Sequence, residues 1–362
     1  MTMTESGSRT VRLHIKVGHL LAALVLAIIA VSAGGCAERG IAPPQIERLG
    51  PGAVGLRNNS LRVATANLWG VSVFGFDWAD EVDLRFAEFA ERLGRNEPAL
   101  DIVLIQEAWK DGARRAMLAH PGVILNFPYR VDALERPGGS GLVVLSRFPI
   151  VRTEFHRFDA QGNCFKFWEA DCLSGKGVLA AQIRIGEQLF WVASTHLIAC
   201  YLGNEASGTA CDVQDPNGDV RWSQLVEARR FMEDLPGETP VLLGGDFNFT
   251  RASHYYPGMT SPTIPPDPRD RGVTKSKDRQ TRGWTETGKR DTQARQIDFI
   301  WTRPGALERW QAQAPARLIF ASPVKLPSGE SIPISDHRIL TVSLCLAKKT
   351  AEADAAACRG AM

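Results

Sequence analysis

The sequence predicts an α/β chain built as a layered sandwich, with many strands in the core and few helices on the outside. Short apolar runs of strand length recur between residues 61 and 346, and only two segments carry helical spacing. The chain has 362 residues, 44% of them hydrophobic, enough for one large core.

The strand-like runs are Leu61 to Ala66, Ile102 to Gln106, Gly141 to Ser146, Gly177 to Ile185, Leu189 to Thr195, Val241 to Gly245, Ile297 to Thr302 and Ile339 to Leu346. The first helical segment runs from about Ala79 to Leu93, where Val82, Phe86, Phe89 and Leu93 repeat at three and four. The second runs from about Val220 to Leu235 on Trp222, Leu225, Val226 and Phe231. Residues 251 to 296 are polar, rich in Pro, Arg and Asp, and read as one long loop.

At the N-terminus, Arg9, Arg12 and Lys16 precede an apolar run from Leu20 to Val31 that is short for a bilayer span, the pattern of an export signal. The stretch Ser32-Ala33-Gly34-Gly35-Cys36 resembles a bacterial lipobox, although a larger aliphatic residue is commoner where Ala33 stands. Cys36 is then the lipidated first residue of a protein exported from a bacterial cell and held on a membrane; without lipidation the protein is periplasmic or secreted. Residues 1–36 are therefore expected to be signal peptide, 37–59 a flexible linker, 60–346 the folded domain and 347–362 a tail. The linker assignment rests on Pro43, Pro44, Gly50, Pro51, Gly52 and Gly55, without apolar periodicity.

Six further cysteines form an even set in a disulfide-permissive compartment. Cys164 with Cys172 and Cys200 with Cys211 are close in sequence, leaving Cys345 and Cys358, and other connectivities stay open. The absence of Cys-x-x-Cys argues against a zinc site. The net charge of +2, with interspersed signs, provides no basic face for a polyphosphate backbone, so nucleic acid is a disfavoured partner. No protein partner can be inferred.

Chemistry-bearing residues sit where the runs end. Asn67, Glu107, His196, and Asp246 with Asn248 each follow a run, Asp298 opens one, and Asp336-His337 directly precedes the last. Strand ends of layered α/β proteins let distant segments project into one cleft. Oxygen donors of the Asn, Asp and Glu type suit Mg²⁺, and the two imidazoles suit proton transfer and anion stabilisation.

Read in order, Asn67-Leu68-Trp69-Gly70, Gln106-Glu107-Ala108-Trp109, the Ser140 to Ile150 block, Thr195-His196, Gly245-Asp246-Phe247-Asn248, Ile297-Asp298-Phe299 and Ser335-Asp336-His337 resemble the endonuclease/exonuclease/phosphatase superfamily. Asp171-Cys172-Leu173-Ser174-Gly175-Lys176-Gly177 and the Ser-Gly-Leu block resemble its neutral sphingomyelinases, and Arg221 and Gln224 also match a segment of them, although residues of those types are commonplace on a helix surface. The resemblance implies a four-layered α/β/β/α sandwich of two mainly antiparallel sheets flanked by helices, over roughly Leu61 to Leu346.

It also implies Mg²⁺-dependent hydrolysis of a choline-type phosphodiester, sphingomyelin giving ceramide and phosphocholine. One or two ions are expected, with Mn²⁺ or Co²⁺ as substitutes. Glu107, Asn67 and Asp336 would hold metal, His337 would be the general base oriented by Asp298, and Asp246 with Asn248 would position water and a phosphate oxygen. His196 would donate to the phosphoryl oxygens, and Asp171 with Lys176 would tune a loop over the site. Phe74, Phe76 and Trp78 are expected to touch the membrane surface that presents a phospholipid or sphingolipid. The rival readings are a secreted nuclease, an inositol-phospholipid phosphatase, and a lipid-anchored binding protein without activity.

Overall fold

In a computed structural model, the described residues are 44–73, 76–133, 139–163, 174–201, 217–263, 285–286, 296–305 and 308–348. Cys36, Phe74, Cys164, Asp171, Cys172, Cys211 and Cys358 lie outside them. Among the described residues, no helix is long and apolar enough to cross a membrane.

The main strands are β1 (Leu61–Asn67), β2 (Ile102–Gln106), β3 (Tyr129–Asp132), β4 (Val143–Ser146), β5 (Ile150–Arg157), β6 (Gly177–Ile185), β7 (Gln188–His196), β8 (Val241–Asp246), β9 (Asp298–Arg303), β10 (Glu308–Ala312), β11 (Arg317–Ile319) and β12 (Ile339–Lys348). The helices are α1 (Val82–Arg95), α2 (Asp111–Ala119), α3 (Pro121–Asn126), α4 (Gly218–Asp234) and α5 (Tyr255–Thr260).

The first sheet runs β3-β4-β2-β1-β12-β10, with Glu47–Arg48 beside β3 and β11 paired to β12. The second runs β9-β8-β7-β6-β5, with Thr285–Glu286 beside β9. All these pairings are antiparallel except β1 with β2 and β7 with β8. Each sheet thus holds one parallel pair, whose two C-terminal ends lie side by side.

Three apolar layers hold the elements together. Alternation along the strands turns Leu61, Val63, Ile102 and Leu104 inward against Ile183, Val192, Leu242 and Ile300 of the other sheet. The opposite face of the first sheet, with Ala64, Ala66, Val103, Ile105 and Leu145, packs on Phe86, Phe89 and Leu93 of α1 and Met117 of α2. The outer face of the second sheet packs on Leu225, Ala228 and Met232 of α4 and Tyr255 and Met259 of α5. The result is an α/β/β/α sandwich.

Three readings of the sequence need correction. Part of the expected linker is docked: Glu47–Arg48 pairs with β3, and the Leu49 and Ala53 amides donate to Pro128 and Arg147 carbonyls. Backbone pairing needs no apolar periodicity, so the pattern gave no sign of it. The 251–296 segment contains α5 and the pair Thr285–Glu286; a single six-residue turn is too short to display helical spacing. Arg221 and Gln224 are fully buried on α4 rather than at its surface. Arg221 Nε donates to Ile198 O at 2.9 Å, and Gln224 Oε1 accepts from Ile198 N at 2.7 Å. The sequence signal was present, since both residues flank the apolar Trp222 and Leu225.

Cys200 and Cys345 are each in a disulfide. None of the other four paired-cysteine candidates is within the described residues.

Candidate active site

The two parallel pairs explain why six distant segments converge. Asn67 ends β1 and Gln106 ends the parallel β2 beside it, while His196 and Asp246 end β7 and β8 in register. Asp298 begins β9, antiparallel to β8 and opposite Asp246; His337 lies just before β12, antiparallel to β1. All these ends point the same way, so the site is the top of the inter-sheet core. Period-two alternation puts Asn67, His196, Asp246 and Asp298 on the inward face that lower down carries Val63, Val192, Leu242 and Ile300.

Glu107 breaks the alternation. It follows inward-facing Gln106 and takes φ +57°, a left-handed conformation that turns its carboxylate back to the site. Asn248, two residues past β8, does the same at φ +51°.

Asp246 is the hub. Its carboxylate accepts from Asn67 Nδ2 at 3.1 Å, Asn248 N at 2.8 Å and Asn248 Nδ2 at 3.2 Å. His196 Nε2 stands 3.5 Å and His337 Nε2 3.6 Å from Asp246 Oδ2. Asn67 Nδ2 also donates to Glu107 Oε1 at 2.8 Å, while its Oδ1 accepts from Trp69 N at 2.9 Å. Asn67 therefore presents its amide nitrogen, not its oxygen, to the two carboxylates.

The donor set fits a hard divalent cation. Glu107, His196 and Asp246 bring ligand atoms within 4.8 Å of one another, as do Asp246, Asp298 and His337. Glu107 Oε2 and Asp298 Oδ1 are buried with no hydrogen-bond partner among the described residues, a costly state for carboxylate oxygens. Burial raises the Glu107 carboxyl to about 7 and Asp246 to about 6, against the pull of hydrogen bonds and neighbouring cations. Asp336 belongs to neither cluster; Ser335 Oγ donates to it at 3.3 Å, and it is exposed.

The histidines differ in state. His337 Nδ1 lies 2.9 Å from Asp298 Oδ2. Burial opposes its charge, yet Asp298 and Asp246 outweigh burial and lift its pKa well above the usual histidine value. His196 is pushed well below that value, first by burial and then by Lys176 and His337.

Lys176 corrects an expectation. It does not tune an overlying loop; it is buried in the site, its Nζ 2.9 Å from His196 Nε2 and 3.2 Å from Leu197 O. An ammonium only donates, so His196 Nε2 is the acceptor and its proton sits on Nδ1, which has no described partner. His196 Nε2, expected to donate to a phosphoryl oxygen, is thus engaged by Lys176 Nζ in this arrangement. The surrounding sequence, Ser-Gly-Lys-Gly, reads as a solvated turn, which is why burial was not foreseen.

Two further residues were missed. Ser335 Oγ donates to Asn67 O at 2.7 Å and accepts from His337 N at 3.1 Å, tying the His337 loop to β1. Arg85 is buried on α1 and donates to Leu68 O at 2.7 Å, Trp69 O at 2.8 Å, Ile334 O at 3.3 Å and Asp80 O at 2.7 Å. Its signal is visible: Arg85 lies three residues after Val82, on the apolar face of α1. Trp109 completes the wall, its ring 5.8 Å from His196 and 5.7 Å from Lys176 Nζ. Of the expected membrane contacts, Trp78 is 49% exposed, and only the backbone of Phe76 is described.

A family model for the Endonuclease/Exonuclease/phosphatase family matches residues 64–337. A putative neutral sphingomyelinase of Drosophila melanogaster is 27% identical over 292 residues, covering 80% of this chain but only 61% of the fly protein. The crystal structure of sphingomyelinase C from Streptomyces griseocarneus is similar at TM-score 0.52 and 19% identity, over 78% of this chain and 99% of that one. A beta-toxin mutant from Staphylococcus aureus with bound magnesium ions is similar at TM-score 0.51 and 16% identity, over 78% and 99% of the two chains. At such identities the structural likeness speaks for the fold alone. With residues 64–337 matched and the sandwich formed, the chain belongs to the endonuclease/exonuclease/phosphatase family.

Proposed function

We propose that this protein is a Mg²⁺-dependent phosphodiesterase that hydrolyses sphingomyelin-type lipids to ceramide and phosphocholine. The observation that carries the reading is a buried Glu107 Oε2, without a hydrogen-bond partner among the described residues, in one cluster with Asp246 and His196, which shares Asp246 with a second cluster of Asp298 and His337. Glu107 and Asp246 are the residues that would hold the cation. When bound, it supplies charge neutralisation of the phosphate and of the developing alkoxide.

The chain's own groups account for the rest. Asp298 holds a proton on His337 Nδ1, leaving Nε2 to take one from water once the charge of Asp246 is neutralised. Neutral His196 and Asn248 frame the phosphate position, and Lys176 supplies a donor beside His196. The hydrolysis consumes one water: its hydroxyl bonds to phosphorus as the bond from phosphorus to the ceramide oxygen breaks, His337 takes the water's proton, and the leaving alkoxide is protonated, for a net gain of one water across the cleaved bond.

The lipid assignment rests on the fly relative's name and on the Asp-to-Lys segment. The export signal, Cys36 lipidation, the remaining disulfide pairings and the expected domain limits belong to the same proposal: an exported, anchored enzyme working at a lipid surface. The test compares Mg²⁺-dependent phosphocholine release from sphingomyelin vesicles with cleavage of DNA and of inositol phospholipids, with His337→Ala as control. Sphingomyelin turnover lost in the control is the expected result; DNA cleavage with inert sphingomyelin overturns the substrate.

A further inference from the structure

The two walls of the site belong to different sheets. Asn67 and Glu107 stand on β1 and β2; His196 and Asp246 stand on β7 and β8. A cation held between Glu107 and Asp246 therefore feels every change in the distance between the sheets, and the apolar packing below, though dense, is non-directional and adds no directional tie at the level of the site.

Directly beneath the site lies a polar layer in an otherwise apolar inter-sheet core. Gln106 Nε2 donates across the gap to Ser194 Oγ at 2.9 Å and, within its own strand, to Leu104 O at 3.1 Å. Ser194 Oγ donates back across the gap to Ile105 O at 3.0 Å. Thr65 Oγ1 donates to Gln106 Oε1 at 3.2 Å. Gln106, Ser194 and Thr65 are all fully buried. Every donor in this layer is used, so it is directional where the layers below are not.

Its place in the chain is telling. Gln106 immediately precedes Glu107, Ser194 is two residues before His196, and Thr65 two before Asn67. Gly244, in register with Ser194 and two residues before Asp246, lacks a side chain where a Cβ would come within 2.6 Å of Leu104 Cδ1, which lets the sheets approach at this level.

We propose that Gln106 is a positioning residue, an inter-sheet latch closed on Ser194 that sets the separation of the Glu107 wall from the Asp246 wall and thereby the affinity for the divalent cation. The inference rests on the metal reading above and adds a determinant that touches neither cation nor substrate.

The test is calorimetric titration of the full-length protein with Mg²⁺ alone, alongside urea unfolding. In Thr65→Val/Gln106→Met/Ser194→Ala, the polar side chains are removed together and shape is nearly kept, with the Leu104 and Ile105 carbonyls left without these donors, so a modest loss of stability is expected. Mg²⁺ affinity is expected to fall at least about tenfold, which a purely structural layer does not predict. Should that variant not fold, Ser194→Ala alone leaves Gln106 its bonds to Leu104 and Thr65, and about a threefold loss is expected. Wild-type Mg²⁺ affinity in the folded variants overturns the latch alone; a wild-type protein that binds no Mg²⁺ overturns the metal reading and the latch with it.

Discussion

Asp246 accepts three hydrogen bonds and still lies within 3.6 Å of two imidazoles, and with Asp298 it favours the charged form of His337. Asp298→Asn keeps the shape at His337 but removes the charge that fixes its proton on Nδ1. Turnover is expected to fall by roughly two to four orders of magnitude, as for His337→Ala, and steady-state rates with unchanged circular dichroism check it. Glu107→Gln should abolish Mg²⁺ binding in the same calorimetric assay while raising metal-free stability, because it removes a carboxylate that burial penalises. At this scale the sequence was informative about identity and uninformative about state. Asn67, Glu107, His196, Asp246, Asn248, Asp298 and His337 meet where strand ends predicted. The left-handed turn at Glu107 and the burial of Lys176 against His196 depend on contacts between segments far apart in the chain.

Among the elements, the strands with continuous apolar runs were legible because both of their faces are covered. β5 was not: its burial alternates irregularly, and Arg152, Glu154 and His156 give it the charged character of an edge strand. Helix α2 was missed for a similar reason, since Arg114 interrupts its apolar face, buried beside Ala113, Met117 and Leu118 against Asp132 and Asp111. Helix α1 was legible but its functional load was not. Arg85→Lys replaces a fork that serves four carbonyls with a single ammonium, and a loss of about 1–3 kcal/mol in urea unfolding is expected. The same change should slow turnover, because Arg85 joins the segment after Asn67 to the one before His337. At the loop before α1, vesicle binding that survives Phe74→Ser, Phe76→Ser and Trp78→Ser together removes the proposed membrane contact.

For the whole molecule, the site couples stability to pH and, on the proposed function, to metal. A carboxyl whose pKa is raised by folding binds its proton more tightly in the folded state, so metal-free stability falls as pH rises. For Glu107 and Asp246 that loss accumulates from the usual carboxylate range up to about 7 and about 6, then levels off. A cation competes with those protons, so the stabilisation by Mg²⁺ should be small near pH 5 and large near pH 8, reaching about 2.7 kcal/mol when free Mg²⁺ is about a hundred times its dissociation constant. Thermal melts with and without Mg²⁺ at the two pH values check this; equal shifts at both contradict it. On the proposed function, two sheets of one chain close on a divalent cation at Glu107 and Asp246. Anomalous diffraction from crystals grown with Mn²⁺ checks this: a strong peak is expected within bonding distance of Glu107 Oε2 and beside Asp246, and a Mn²⁺-saturated crystal with its peak elsewhere would contradict it.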